Sequence, residues 1–357
     1  MTIPLDKPLT CPILIGRTRE LAALASLIDG ARKGSGRAAL IRGEPGIGKS
    51  RLATQAKSTA LARGFLILQA ECFQADTSYP YAPLLDLLRT FFVAHLPTLL
   101  TAAQEPLVRE LVRLLPDLAL PFPDLAPFPS SQPLDPQQHK RRLSTLLTQL
   151  LSNQAAQQPV MLIVEDVHWC DESSLELLLY LVRHCTRQRL LLLFTYRSEE
   201  ISPLLSHWLA QLDRERLFLE LELRPLSQSE VAAMLQAIFA ASHPSPAALV
   251  DSIYMLTEGN PFFVEELLKS LIVTGEIRSV DGIWKFGSDQ RDPADFAFVP
   301  RSVQDAVRQR MDRLSAATKQ ALTVAGVAGR RFDFAVLQQA LHCDEDQLLP
   351  LIWTTWP

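Results

Sequence analysis

Apolar residues in this chain follow two rhythms. Short, nearly unbroken apolar runs lie at Ala38–Ile41, Phe65–Ala70, Pro159–Val164 and Leu190–Thr195, with a further strand-like stretch at Arg216–Leu223. Between them, apolar residues recur at i, i+3 and i+4, as in Leu21, Leu24, Leu27 and Ile28, or Leu143, Leu146, Leu147, Leu150 and Leu151. A run that is apolar at every position has no polar face to turn to water, so it predicts a strand covered on both sides, the condition of a parallel sheet flanked by helices. Five strands separated by helices predict an α/β fold, a doubly wound parallel sheet in three α/β/α layers, over residues 1–225. From 226 to 299 the rhythm is helical, at Ser227–Phe239, Ala247–Thr257 and Pro261–Thr274, with a short hairpin at Ile277–Phe286 around Gly282. Residues 300–357 predict a helix at Pro300–Leu314 and two more within Ala316–Leu349, with a turn at Gly329-Arg330-Arg331. The last stretch, Leu349 to Pro357, is apolar and carries Trp353 and Trp356, an end that reads as truncated.

Composition narrows the class without changing that outline. With 357 residues and 48% hydrophobic content the chain has material for two or three cored domains. A net charge of −4 supplies no overall basic field for nucleic acid. Cys11, Cys72, Cys170, Cys185 and Cys343 show no C-x-x-C spacing, and an odd, scattered set suits a reducing compartment. No basic-then-apolar leader opens the chain and no apolar run reaches the length of a membrane span, so the expected location is cytoplasmic, with no membrane partner. Between Pro116 and Pro136, prolines at 121, 123, 127, 129 and 133 predict an irregular surface insertion within the first domain.

Chemistry concentrates where the strands end. Gly43-Glu44-Pro45-Gly46-Ile47-Gly48-Lys49-Ser50, followed by Arg51, fits G-x-x-x-x-G-K-[ST] between an apolar strand and a helix. Glycines allow successive backbone N–H groups to turn inward around phosphate oxygens, and the helix N-terminus adds its positive dipole end. Lys49 is positioned to reach β- and γ-phosphates and Ser50 to place its hydroxyl on Mg²⁺. The third strand ends in Glu165-Asp166, so one acid can hold the metal shell and the other polarise water; Asp166 is favoured for the metal. Arg197, ending the fourth strand, can sense the γ-phosphate, or sit in a salt bridge with Glu199 or Glu200. His168 and Trp169 either shape the pocket or pack.

Together, Leu14-Ile15-Gly16-Arg17 with Glu20, the phosphate loop, Val164-Glu165-Asp166-Val167-His168-Trp169 with Asp171, Thr195-Tyr196-Arg197, and Glu258-Gly259-Asn260-Pro261-Phe262 with Glu265 resemble the STAND class of regulatory P-loop ATPases. Within it the chain is similar to the bacterial group whose Orc1-like AAA ATPase module precedes LuxR-type DNA-binding, nucleotide cyclase or kinase domains. The resemblance spans about Ile13 to Leu349. It implies ATP/ADP and Mg²⁺ as cofactors, Gly16 and Arg17 on the adenine side, Pro261 near the base, Arg197 as phosphate sensor and a partial winged-helix domain over 300–357. It further implies nucleotide-dependent self-association, an inducer the sequence does not identify, and DNA contact only through a domain outside this chain. Two alternatives remain open: an AAA+ type, origin-recognition-like DNA loader, and a truncated nucleotide-binding module without turnover.

Overall fold

The computed structural model describes residues 9–77, 79–99, 105–115, 118, 135–239, 246–280, 283–286, 311, 315–328, 334–341, 343–344 and 347–349. Most of the proline-rich stretch, Gly282, nearly all of the helix expected at Pro300–Leu314, the turn at 329–331 and the end after Leu349 lie outside the described residues.

The strands β1 (Arg37–Gly43), β2 (Leu66–Glu71), β3 (Val160–Glu165), β4 (Leu190–Arg197) and β5 (Phe218–Glu222) form one sheet in the order β2-β3-β4-β1-β5. All its neighbouring strands run parallel. The all-apolar runs become the central strands, and β3 and β4 are buried at every position but Arg197. Strand alternation then divides them between two cores. Val160, Leu162 and Val164 with Leu190, Leu192 and Phe194 join the core beneath α3 (Ala82–Leu99), α4 (Glu105–Leu114), α5 (Pro136–Gln157), α6 (Glu172–His184) and α7 (Pro203–Arg214). Met161, Ile163, Leu191 and Leu193 join the core beneath α1 (Thr18–Arg32) and α2 (Lys49–Ala62). Full burial of each such side chain contributes about 2 kcal/mol, which is what holds helices on both faces.

Because the strands are parallel, their C-terminal ends line one edge. Register places Gly43 beside Arg197 and Glu71 beside Glu165. Local signals fix the neighbouring helices: Asp171 caps α6 by accepting from Ser174 N at 3.0 Å, and Ser202 caps α7 ahead of Pro203.

Packing divides the chain into two compact units, Thr10–Val264 and a second that takes in Glu265–Pro357. The first unit holds the sheet with α8 (Gln228–Phe239), α9 (Ala247–Thr257) and the start of α10 (Pro261–Val273). Ser227 and Glu230 cap α8 reciprocally, Ser227 N donating to the carboxylate at 2.7 Å and Glu230 N to Ser227 Oγ at 3.3 Å. In the second unit β6 (Ile277–Val280) and β7 (Ile283–Phe286) pair antiparallel, and helices cover Ala316–Ala328 and Phe334–Leu341.

The turn between α9 and α10 is a point of high cost. Glu258 and Gly259 both have positive φ, 50° and 79°, and Gly259 O accepts from Leu226 N at 2.8 Å. A Cβ on Gly259 would stand 2.0 Å from Leu226 O, a backbone atom with nowhere to go. Gly259→Ala is therefore expected to cost at least about 2 kcal/mol and lower the thermal midpoint by several degrees. A midpoint equal to the parent's would show that the turn relaxes freely.

Candidate functional site

The loop from β1 to α2 closes around Lys49. Gly48 precedes the helix with φ 103°, a conformation that aims the first helical N–H groups into the loop. The Lys49 ammonium is buried and donates to Gly43 O at 3.0 Å and Glu44 O at 2.9 Å. Burial lowers it from 10.5 to about 8, while Asp166 pulls the other way.

At the end of β3 the two acids part company. Glu165 accepts from the Ser50 hydroxyl and from Gln69 Nε2, the latter at 2.9 Å. Burial raises its carboxyl above the usual range against the pull of those hydrogen bonds, and nearby Glu71 adds to the rise. Asp166 sits in the left-handed region, φ 56° and ψ 46°, held by its N–H donating to Thr195 Oγ1 at 2.9 Å. Burial raises this carboxyl too, opposed by Arg197 and Lys49. The sequence favoured Asp166 for the metal, whereas the acid bonded to Ser50 is Glu165. The reason is strand alternation: Glu165 continues the Met161, Ile163 face that packs on α2, the helix that carries Ser50.

Arg197 donates to Glu200 Oε1 at 2.7 Å. Of the two readings for this residue, the ion pair is thus formed in this structure, at the same strand edge as Lys49 and Asp166.

On the other side of the loop lies a small cavity, open to solvent. Its apolar wall is Ile13, Ile15, Ile47, Leu226, Met234 and Pro261, and Arg17 and Arg51 reach its edge. The Arg17 guanidinium donates to Ile47 O at 3.3 Å and Arg224 O at 2.8 Å, pinning the loop to the strand exit. Gly16 stands beside Glu230, whose carboxylate occupies the space a Cβ would need. Arg51 ties the N-terminal segment to α2 by donating to Ile13 O at 3.0 Å.

The segment before α10 docks directly on the loop. Asn260 Nδ2 donates to Pro45 O at 3.0 Å, and Phe262 N donates to Gly46 O at 3.3 Å. Gly46, φ 77°, faces this contact so closely that a Cβ would meet Phe262 Cβ at 2.7 Å and Asn260 Oδ1 at 3.0 Å. The sequence pattern singled out Pro261, and Glu200 as one of two acids for Arg197, but gave no role to Asn260 or Gln69. An asparagine just before a helix-opening proline was the available signal for the first.

The five cysteines, all among the described residues, form no disulfide, and the Cys72 and Cys170 sulfurs lie 3.2 Å apart. Among the described residues no helix is long and apolar enough to cross a membrane.

The chain resembles known proteins in both sequence and fold. An uncharacterized protein, R02095, of Rhizobium meliloti (strain 1021) is 27% identical over 271 residues, which are 71% of this chain and 24% of that protein. The peroxide stress-activated histidine kinase mak3 of Schizosaccharomyces pombe is 26% identical over 225 residues, 62% of this chain and 9% of the kinase. The chain thus spans a quarter or less of the curated relatives it matches. A solved structure of the Aeropyrum pernix ORC2 protein in ADPNP-ADP complexes shares the fold, with a TM-score of 0.52 at 15% identity over 94% of this chain and 82% of that one. The family model for the AAA ATPase domain matches residues 13–194, from the cavity wall through the loop and both acids to β4, and the chain belongs to that family.

Proposed function

We propose that the chain is an adenine-nucleotide switch with slow, Mg²⁺-dependent ATP hydrolysis, acting as the ATPase module of a larger signalling or transcriptional regulator. One observation carries this reading: the loop is bonded to the strand-end site through Lys49 and Ser50 and to the helical segment through Asn260 and Phe262. Whatever fills the loop is therefore felt on both sides. The apolar cavity suits a base, and the loop amides suit phosphates. Ser50 and Glu165 offer the hard oxygen ligands that Mg²⁺ takes, and such an ion, when bound, offsets phosphate charge. Asp166 then has the water-polarising role, and Arg197 turns from Glu200 to the γ-phosphate. Residues 300–357 are read as a partial winged-helix domain. Self-association, the inducer, DNA contact through another domain and a cytoplasmic location complete the proposal.

The test compares ADP with a non-hydrolysable ATP analogue, measuring affinity and the mass of each complex. Binding of both, with a larger species only in the analogue, supports the switch. Steady, DNA-stimulated turnover would instead support the loader reading, to which the fold shared with the ORC2 protein lends weight. Tight ADP with no turnover would support a binding module alone.

Lys49 gives the site a pH signature. Above pH 8 the free protein holds Lys49 increasingly neutral, whereas bound phosphate restores the ammonium. Binding is expected to take up close to one proton at pH 9 and almost none at pH 7, and to weaken past pH 8. Calorimetry in two buffers of different ionisation enthalpy reads the uptake; identical heats at pH 9 would contradict it.

A further inference from the structure

One buried titratable side chain near the site belongs neither to the loop nor to the strand-end acids. After Asp166 the left-handed backbone folds the chain into the short turn Val167–Trp169, which carries His168 inward. Its side chain is 0% exposed, and its ring lies between two carboxylates. Nδ1 is 3.8 Å from Asp166 Oδ1, and Nε2 is 3.5 Å from Glu200 Oε2. The other oxygen of Glu200, itself only 8% exposed, holds Arg197 at 2.7 Å. Trp169 covers the ring, centroid to centroid 4.9 Å. Arg197, Glu200, His168 and Asp166 thus form a row from the arginine to the acid beside Lys49.

We propose that His168 is a positioning residue that links Glu200, and through it Arg197, to Asp166. The proposal rests on the switch reading, in which Arg197 leaves Glu200 for the γ-phosphate. When it does, Glu200 is a buried carboxylate that has given up its guanidinium, and the imidazole is a polar group already beside its other oxygen. Both ring distances are longer than a formed hydrogen bond, so a tilt of under an ångström brings His168 onto Glu200 and away from Asp166. The position of Arg197 is in this way passed to the carboxylate that polarises water. Packing alone would be served better by an apolar side chain, which needs no polar neighbours in a site closed to solvent.

The test uses His168→Phe, His168→Gln and Glu200→Gln in the full chain, with melting curves to confirm folding. For His168→Phe, ADP affinity is expected to stay within twofold of the parent's, the ATP-analogue to ADP affinity ratio to fall at least fivefold, and kcat to fall at least tenfold with KM little changed. His168→Gln, which keeps a side-chain N–H, is expected to recover part of both losses. The double variant His168→Phe with Glu200→Gln should be no worse than the more impaired single, because the two residues act in one row. A His168→Phe variant with parental kcat and affinity ratio overturns the proposal and leaves the switch reading standing. If His168→Phe does not fold, His168→Leu, which also removes the ring nitrogens, decides on the same readouts: a parental ratio and kcat overturn the proposal equally. A parent that binds no nucleotide overturns both; a parent that binds without turnover leaves the affinity ratio to decide this one.

Discussion

Lys49→Ala is expected to reduce nucleotide affinity by at least about a hundredfold, close to abolishing binding in a calorimeter. A charge-assisted hydrogen bond contributes about 1.5–3 kcal/mol, and the loop lysine supplies more than one to phosphate oxygens inside a site where water is scarce. The ammonium is buried and already aimed into the loop by Gly43 O and Glu44 O, so little ordering remains to be done on binding. Truncation also leaves those carbonyls without a donor they now have, so the free variant should melt below the parent. Unchanged affinity for ATP and ADP would remove the loop from the site.

The second large effect separates the two acids. Asp166→Asn is expected to lower turnover by about two to three orders of magnitude while nucleotide affinity holds or rises, because a negative charge beside the phosphates has been removed. Glu165→Gln is expected to weaken the Mg²⁺-dependent part of binding, since its carboxylate is bonded to the Ser50 hydroxyl. Titrating nucleotide with and without Mg²⁺ on both variants distinguishes them. If Asp166→Asn instead carries the Mg²⁺ effect, the order of the pair favoured from sequence stands and the one assigned from geometry falls.

Much of this was legible in the residues. The apolar runs at Pro159–Val164 and Leu190–Thr195 could only be central strands, and the loop from Gly43 to Ser50 is a local motif whose spacing states its geometry. The position of Arg197 at a strand end followed from the same pattern, and its partner was one of the two acids named for it. What was not legible depends on distant chain segments meeting. Asn260 and Pro45 are 215 residues apart, and no periodicity announces their bond. Glu200 lies in a loop, where neither the helical nor the strand period says which way a side chain turns. The assignment of Glu165 to Ser50 was available in principle: alternation from Met161 and Ile163 carries it to the α2 face.

We propose that the loop, the cavity beside it and the strand-end acids form one adenine-nucleotide site. Equilibrium titration of the purified chain with ADP and with a non-hydrolysable ATP analogue, with and without Mg²⁺ and repeated on Lys49→Ala, tests it most directly. One nucleotide per chain, Mg²⁺-enhanced binding of the analogue, and loss of both ligands in the variant are expected. Saturable binding that survives Lys49→Ala, or no binding by the parent, would contradict it.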